Sequence, residues 1–223
     1  MLIKIVEIIS CTVSLAAFVY GASELFKKGV PEYFSLHACA AGCFLLEELW
    51  VIVNSLFGNG GDDGLVTVRL IGFFGCLCFM LSANGKIFDS VVDEGDDLKA
   101  SYIALAAPAG LTALFVIYAL SPLNSASIST LFLGFASLSP AIFASYYNLK
   151  HLLLREDSMG FLEITKAVSI FSLLFYGANF IYSIADLYAS RVFMSFYDLL
   201  LSCMVFVLMI LCRKGALEWK TRI

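Results

Sequence analysis

Long apolar runs, each about one bilayer crossing in length and each closed by a polar or glycine-rich break, set the pattern of this chain. A helix needs about 20 predominantly apolar residues to cross the hydrocarbon core. Such runs fall at Ile5–Phe26, Tyr33–Phe57, Leu65–Ile87, Ala100–Leu120, Ile128–Leu149, Phe161–Ile184 and Val192–Cys212. The stretch from Ala100 to Leu149 carries no charge and is too long for one crossing. Ser121-Pro122-Leu123-Asn124-Ser125-Ala126-Ser127 supplies the turn residues that divide it. Gly58-Asn59-Gly60-Gly61-Asp62-Asp63-Gly64 does the same between the second and third runs. Backbone polar groups in lipid have no water to bond, so the runs are expected to be helical and the breaks to mark returns to water. The expectation is an all-α membrane protein with seven transmembrane helices.

The first run invites comparison with a signal peptide, since Lys4 precedes it and Val19-Tyr20-Gly21-Ala22-Ser23 loosely mimics a cleavage site. It outlasts an ordinary h-region, and Lys27 and Lys28 follow directly, so a retained span is expected. Basic residues then orient the bundle. Lys27, Lys28, Lys86, Lys99, Lys150, Arg155, Arg213, Lys214, Lys220 and Arg222 share one side, against Lys4, Arg191 and Arg69 on the other. Basic loops are retained in the cytoplasm, which places the N-terminus outside and the C-terminus inside, with a plasma or inner membrane as the expected location.

Composition agrees with this pattern. Apolar residues make up 61% of the chain and charged ones 14%, with a mean hydropathy of +0.90; soluble domains sit near 45–50% and about 25%. A net charge of −4 with no Lys/Arg stripe excludes a nucleic-acid partner. The seven cysteines all lie inside apolar runs, and Cys39/Cys43 and Cys76/Cys78 lack a neighbouring His or second Cys pair. They read as small buried hydrophobes rather than a disulfide framework or metal ligands. The acidic loop from Asp89 to Asp97 lacks EF-hand spacing and reads as solvated. No Ser/His/Asp constellation, HExxH motif or phosphate-binding glycine loop occurs, so neither an enzyme nor a cofactor is expected.

The loops also suggest an internal repeat within a single transmembrane domain spanning 1–223. Spans one to three (1–88) and five to seven (128–213) can be overlaid with a shift of about 128 residues, leaving span four (100–120) as a linker. Tyr20–Lys28 then matches Asn148–Glu156, and Leu45/Leu173, Leu46/Leu174 and Ser55/Ser183 coincide. This is a parallel three-plus-one-plus-three arrangement.

The second half carries a resemblance. Ser139-Pro140 inside the fifth span is followed by Lys150, by Leu154-Arg155-Glu156-Asp157-Ser158-Met159, and by a span with Gly177, Asn179 and Tyr182. The chain thereby resembles the SWEET and PQ-loop-like seven-helix transporters, and Lys27-Lys28 with Trp50 look like the matching linker and tryptophan of the first half. The resemblance implies a small-solute transporter that works by alternating access around a central polar site. Opsin-like chromophore binding is excluded, because the seventh span has no lysine.

Ionisable side chains within a bilayer are costly and face the bundle interior or a cavity. Glu47 and Glu48 are the strongest such signal. Consecutive residues differ by 100° around a helix, so at least one should point inward. It would serve either as a proton-coupled or amine-binding carboxylate or as half of a structural pair. Arg69 either snorkels to the outer surface or reaches Glu48 or Asp198, the latter at nearly the repeat-equivalent position, to close an outer gate. Trp50, Tyr176 and Tyr182 either stack on a solute or form packing and interface belts, and Asn54 and Asn179 either bond a solute or join helices. The expected substrate site is therefore Glu47, Glu48, Trp50, Asn54, Arg69, Tyr176, Asn179, Tyr182 and Asp198, with Pro140 as a hinge. The expected partners are the bilayer and a small solute, with proton coupling and homo-oligomerisation as open options. The alternative is a seven-helix sensor or receptor-like module, or a subunit, that signals through a partner.

Overall fold

The computed structural model describes residues 2–25, 27, 29–57, 63–90, 98–124, 126–153, 162–185 and 187–220, without the side chains of 57, 63–70, 87–90, 98, 162–165 and 218–220. The helices are α1 (Leu2–Leu25), α2 (Glu32–Phe57), α3 (Asp63–Ser90), α4 (Leu98–Ala104), α5 (Ala106–Ala119), α6 (Ile128–Leu153), α7 (Leu162–Ala185) and α8 (Arg191–Lys220). No strand occurs among the described residues.

Six stretches are long and apolar enough to cross a membrane: Leu2–Leu25, Glu32–Leu56, Lys99–Ala119, Ile128–Leu153, Lys166–Ala185 and Arg191–Leu217. The described apolar part of α3, Ile71–Lys86, is shorter. Only 17% to 44% of the residues in the six stretches are buried within the protein. Ile71, Phe132, Ile128 and Leu120 point outward while Ser10, Ser14, Ser169, Ser172 and Ser202 are fully enclosed. Such an inside-out distribution is stable only with lipid as the solvent, so this is a multi-pass membrane protein.

Local chemistry explains where the helices begin and break. Ser127 Oγ accepts the Thr130 amide at 3.2 Å and caps α6, and Asn124 Oδ1 accepts the Ala126 amide just before it. Gly29, at φ 78°, turns the chain after α1. The fourth span, expected as one helix, is divided at Leu105 into α4 and α5. Pro108 lacks an N–H and its ring crowds the carbonyl four residues earlier, so the helix gives way there. Pro140 has the opposite outcome: α6 runs through it unbroken. The Ala136 carbonyl, which Pro140 cannot bond, accepts the Ser139 hydroxyl at 2.8 Å instead.

The helices form a closed ring. α1 packs on α2 and α8, α2 on α3, α3 on α6, α6 on α7, and α7 on α8, while α4 and α5 lie outside against α6 and α7. α1 and α8 run parallel: Ser10 Oγ meets Ser202 Oγ at 2.7 Å, Tyr20 meets Phe206, and Arg213 Nη2 donates to Glu24 Oε1 at 2.6 Å. Arg213 also lies over the Tyr20 ring at 4.3 Å, and Lys27 bonds the same Glu24 oxygen at 2.7 Å. Lys86 at the end of α3 pairs with Glu32 at the start of α2. The end where α1, α3, α6 and α8 finish is termed the lower end; the other, where Ser121 meets Tyr188, is the upper end.

The α2/α3 contact is close enough to depend on glycine. A Cβ on Gly72 would lie 3.0 Å from the Cys43 carbonyl oxygen and 3.1 Å from the Glu47 amide nitrogen, both fixed backbone atoms. Gly72→Ala is expected to push the helices apart and cost about 1–3 kcal/mol. Gly85→Ala, where nothing lies within 4 Å, should be neutral or stabilise by about 0.5–1 kcal/mol through helix propensity. Thermal unfolding of the purified variants in detergent checks both.

Candidate functional site

Between α5, α6 and α7, with α2, α3 and α8 below, lies a cavity of about 490 Å³. That volume is in the range of small-molecule sites. Its rim carries Ser129 and Thr130 in the first turn of α6, Ser183 near the end of α7 and Tyr118 near the end of α5. It descends from the upper end past Leu133 and Gly134 to Ser137, roughly 12 Å along α6. Its deeper lining includes Glu47, Asn179 and Leu201, and Phe73, Phe115 and Tyr182 form aromatic walls.

Each polar group there has an identifiable posture. Glu47 is 6% exposed and sits on the α2 face that meets Gly72. Asn179 commits its amide nitrogen to the Phe175 carbonyl at 2.7 Å. Ser137 and Ser183 donate to the Gly134 and Asn179 carbonyls, so their oxygens remain able to accept. Tyr182 stands edge-on against Tyr197, whose hydroxyl donates to the Ala178 carbonyl at 3.0 Å, and this fixes the wall. No Lys or Arg lines the cavity among the described residues. The surface is therefore rich in hydrogen-bond acceptors, carries one carboxyl group, and offers ring faces and edges. It suits a small solute that donates hydrogen bonds or carries an amine.

Of the nine residues anticipated from sequence, the cavity brings together Glu47, Asn179 and Tyr182. Glu48 is also buried but belongs to a different interface, close to Cys11 of α1. This is the divergence expected of adjacent residues on one helix. Tyr176 is fully buried lower in the bundle and accepts the Asn84 amide at 3.3 Å. Trp50, Asn54 and Asp198 are half-buried and do not line the cavity. The Arg69 side chain, and with it the Arg69–Asp198 gate, lies outside the described residues, as does the acidic loop beyond Ser90. His37, buried, engages the Tyr33 carbonyl through Nδ1 at 2.8 Å.

The contribution of α5 and the upper half of α6 was not anticipated. Its signal is faint but present: Ser129, Thr130, Gly134 and Ser137 recur at helical spacing and form one small, polar stripe. Below Ala141 and Ala144 the polar face of α6 resumes at Ser145, Asn148 and His151, and α7, packed against it, carries Ser183, Asn179, Tyr176, Ser172 and Ser169. Small hydroxyl residues do not disturb hydropathy, so the seam is invisible to a search for charges. No protein-family model matches the chain, and no curated protein or solved structure matches it significantly.

The cavity predicts a pattern of thiol reactivity. Cysteines at Ser129, Thr130 and Ser183 should react with a hydrophilic, membrane-impermeant thiol reagent well above the wild-type background. A cysteine at Ala141, fully buried one turn below Ser137, should not react. Mass spectrometry of labelled protein in sealed vesicles reads the difference.

Proposed function

We propose that the protein is a small-solute membrane carrier, with the cavity between α5, α6 and α7 as its solute site at the upper end. The observation that carries this reading is the pairing of an acceptor-rich, aromatic-walled cavity with a polar seam that continues below it along α6 and α7. Polar residues beneath the floor cost desolvation, and their run along α6 and α7 extends the polar lining beyond what the cavity itself needs. α3 is taken as a seventh span, with the upper end outside as the basic residues indicate.

The helix arrangement supports a three-plus-one-plus-three organisation. In each triplet, α1–α2–α3 and α6–α7–α8, the middle helix packs on both neighbours, and the α1/α8 contact has its counterpart in α6/α3. Registers agree as well. Gly72 meets Glu47 across α2/α3, and a shift of about 128 residues carries that pair to positions 200 and 175. Tyr197 meets Ala178 across α7/α8 within a turn of this. α4 and α5, outside the ring, fit the part of a linker.

The test is uptake of labelled small amines and neutral polyols into proteoliposomes. Wild-type protein should accumulate at least one of them above empty liposomes. Ser137→Trp, which fills the cavity, should abolish that uptake. Glu47→Gln should reduce it about tenfold or more if a charge-assisted bond of roughly 1.5–3 kcal/mol is lost. Glu48→Gln should retain most of it. Saturable binding without flux would instead favour the sensor reading, and neither binding nor flux would remove the cavity from consideration.

A further inference from the structure

Below the cavity, on the α6/α7 seam, lies a second polar cluster that does not line the cavity itself. Tyr176 and Asn148 are fully enclosed and Asn84 is 1% exposed, so α3, α6 and α7 each bring a polar side chain to one point. The Asn84 amide nitrogen donates to the Tyr176 hydroxyl at 3.3 Å, which leaves Asn84 Oδ1 without a partner. Asn148 and Ser172 flank the same hydroxyl, yet no amide atom of Asn148 and no hydroxyl of Ser172 completes a hydrogen bond among the described residues. Ser169, one turn below Ser172 on α7, is equally enclosed and equally unbonded.

These two serines depart from the habit of seven others in the helices. Ser23, Ser82, Ser137, Ser139, Ser145, Ser183 and Ser195 all return their hydroxyls to a carbonyl of their own helix. Ser169 and Ser172 do not. Buried polar atoms without partners are costly, and several at one point indicate a missing occupant rather than several separate defects.

We propose that this cluster binds a dehydrated monovalent alkali cation, with Asn84 Oδ1, Asn148 Oδ1, Ser172 Oγ and Tyr176 Oη as ligands and Ser169 Oγ within one turn. The donors are hard oxygens and all are neutral, which suits a single positive charge; a divalent ion calls for carboxylates. Lys150, itself buried at 7% exposure, follows Asn148 by two residues, about 200° around the helix, and so leaves α6 on a different face. An ion here would tie α3 to the α6/α7 pair beneath the solute cavity.

The experiment follows thermal unfolding of the purified full chain in detergent. Sodium or potassium chloride is titrated against N-methylglucamine chloride at constant ionic strength. A saturable, alkali-specific rise of a few degrees in the midpoint is expected for wild type. Asn148→Leu/Ser172→Ala should lose that rise while unfolding in N-methylglucamine no earlier than wild type, because it removes polar atoms that had no partners. If the double variant does not fold, Ser172→Ala alone should shift the titration to higher ion concentration. The proposal is overturned if wild type shows no alkali-specific rise, in which case water alone fills the cluster. An unchanged titration in the folded variants overturns it equally. No solute enters this measurement, so its failure would leave the carrier reading untouched.

Discussion

With hydrocarbon outside, a polar group in this bundle has only the protein itself to satisfy it, and that constraint orders the rest of the structure. It explains why Ser10, Ser14 and Ser202 are enclosed while Leu120, Leu133 and Leu174 face outward. It also explains the behaviour of the two prolines. At Pro140 a neighbouring serine takes over the freed carbonyl, and the helix persists. At Pro108 the adjacent residues are alanines, no side chain can substitute, and α4 ends before α5 begins. The difference lies in one hydroxyl at the preceding position. A hinge at Pro140 would first have to break that bond.

The same constraint decides how much could be read beforehand. Six of the expected spans were legible because a long apolar run in lipid must bond its backbone internally as a helix. Glu47 was legible as a buried carboxyl because its cost is high wherever it lies. Its separation from Glu48 followed from helix geometry, but which of the two meets the cavity did not. That choice depends on Gly72 letting α3 approach the backbone of Glu47, a contact between distant residues. Phe115 and Tyr118 escaped notice for a related reason. They are aromatic residues in an uncharged run, and only the position of α5 outside the ring turns them towards a cavity.

The two long-range parallel contacts of the ring, α1/α8 and α3/α6, are built from different chemistry. At α1/α8, Ser10, Ser14 and Ser202 bond one another, Glu24 holds Arg213 and Lys27, and Arg213 covers Tyr20. These named groups satisfy one another, and Glu24, itself buried, would be left a bare carboxylate if its partners were removed. At α3/α6 and the adjoining α7, one long hydrogen bond stands among several enclosed oxygens with no partner, and the large cavity lies above.

A bundle that changes shape does so where the interactions lost are fewest, because packed cores switch between arrangements rather than deform evenly. By that criterion the α1/α8 seam, tied at the lower end by Glu24, holds while the α3/α6 seam gives. On the carrier reading movement then falls to the α3/α6 joint, with α7 held to α8 through Tyr197 and Ala178 and α5 on the outer face of α6 and α7. The position of α4 and α5 outside the ring suits that division, since a segment broken at Leu105 can follow α6 without dragging α3. Asn84 and Asn148 are neutral amides, so unlike Glu24 and Arg213 they leave no bare side-chain charge when α3 and α6 part.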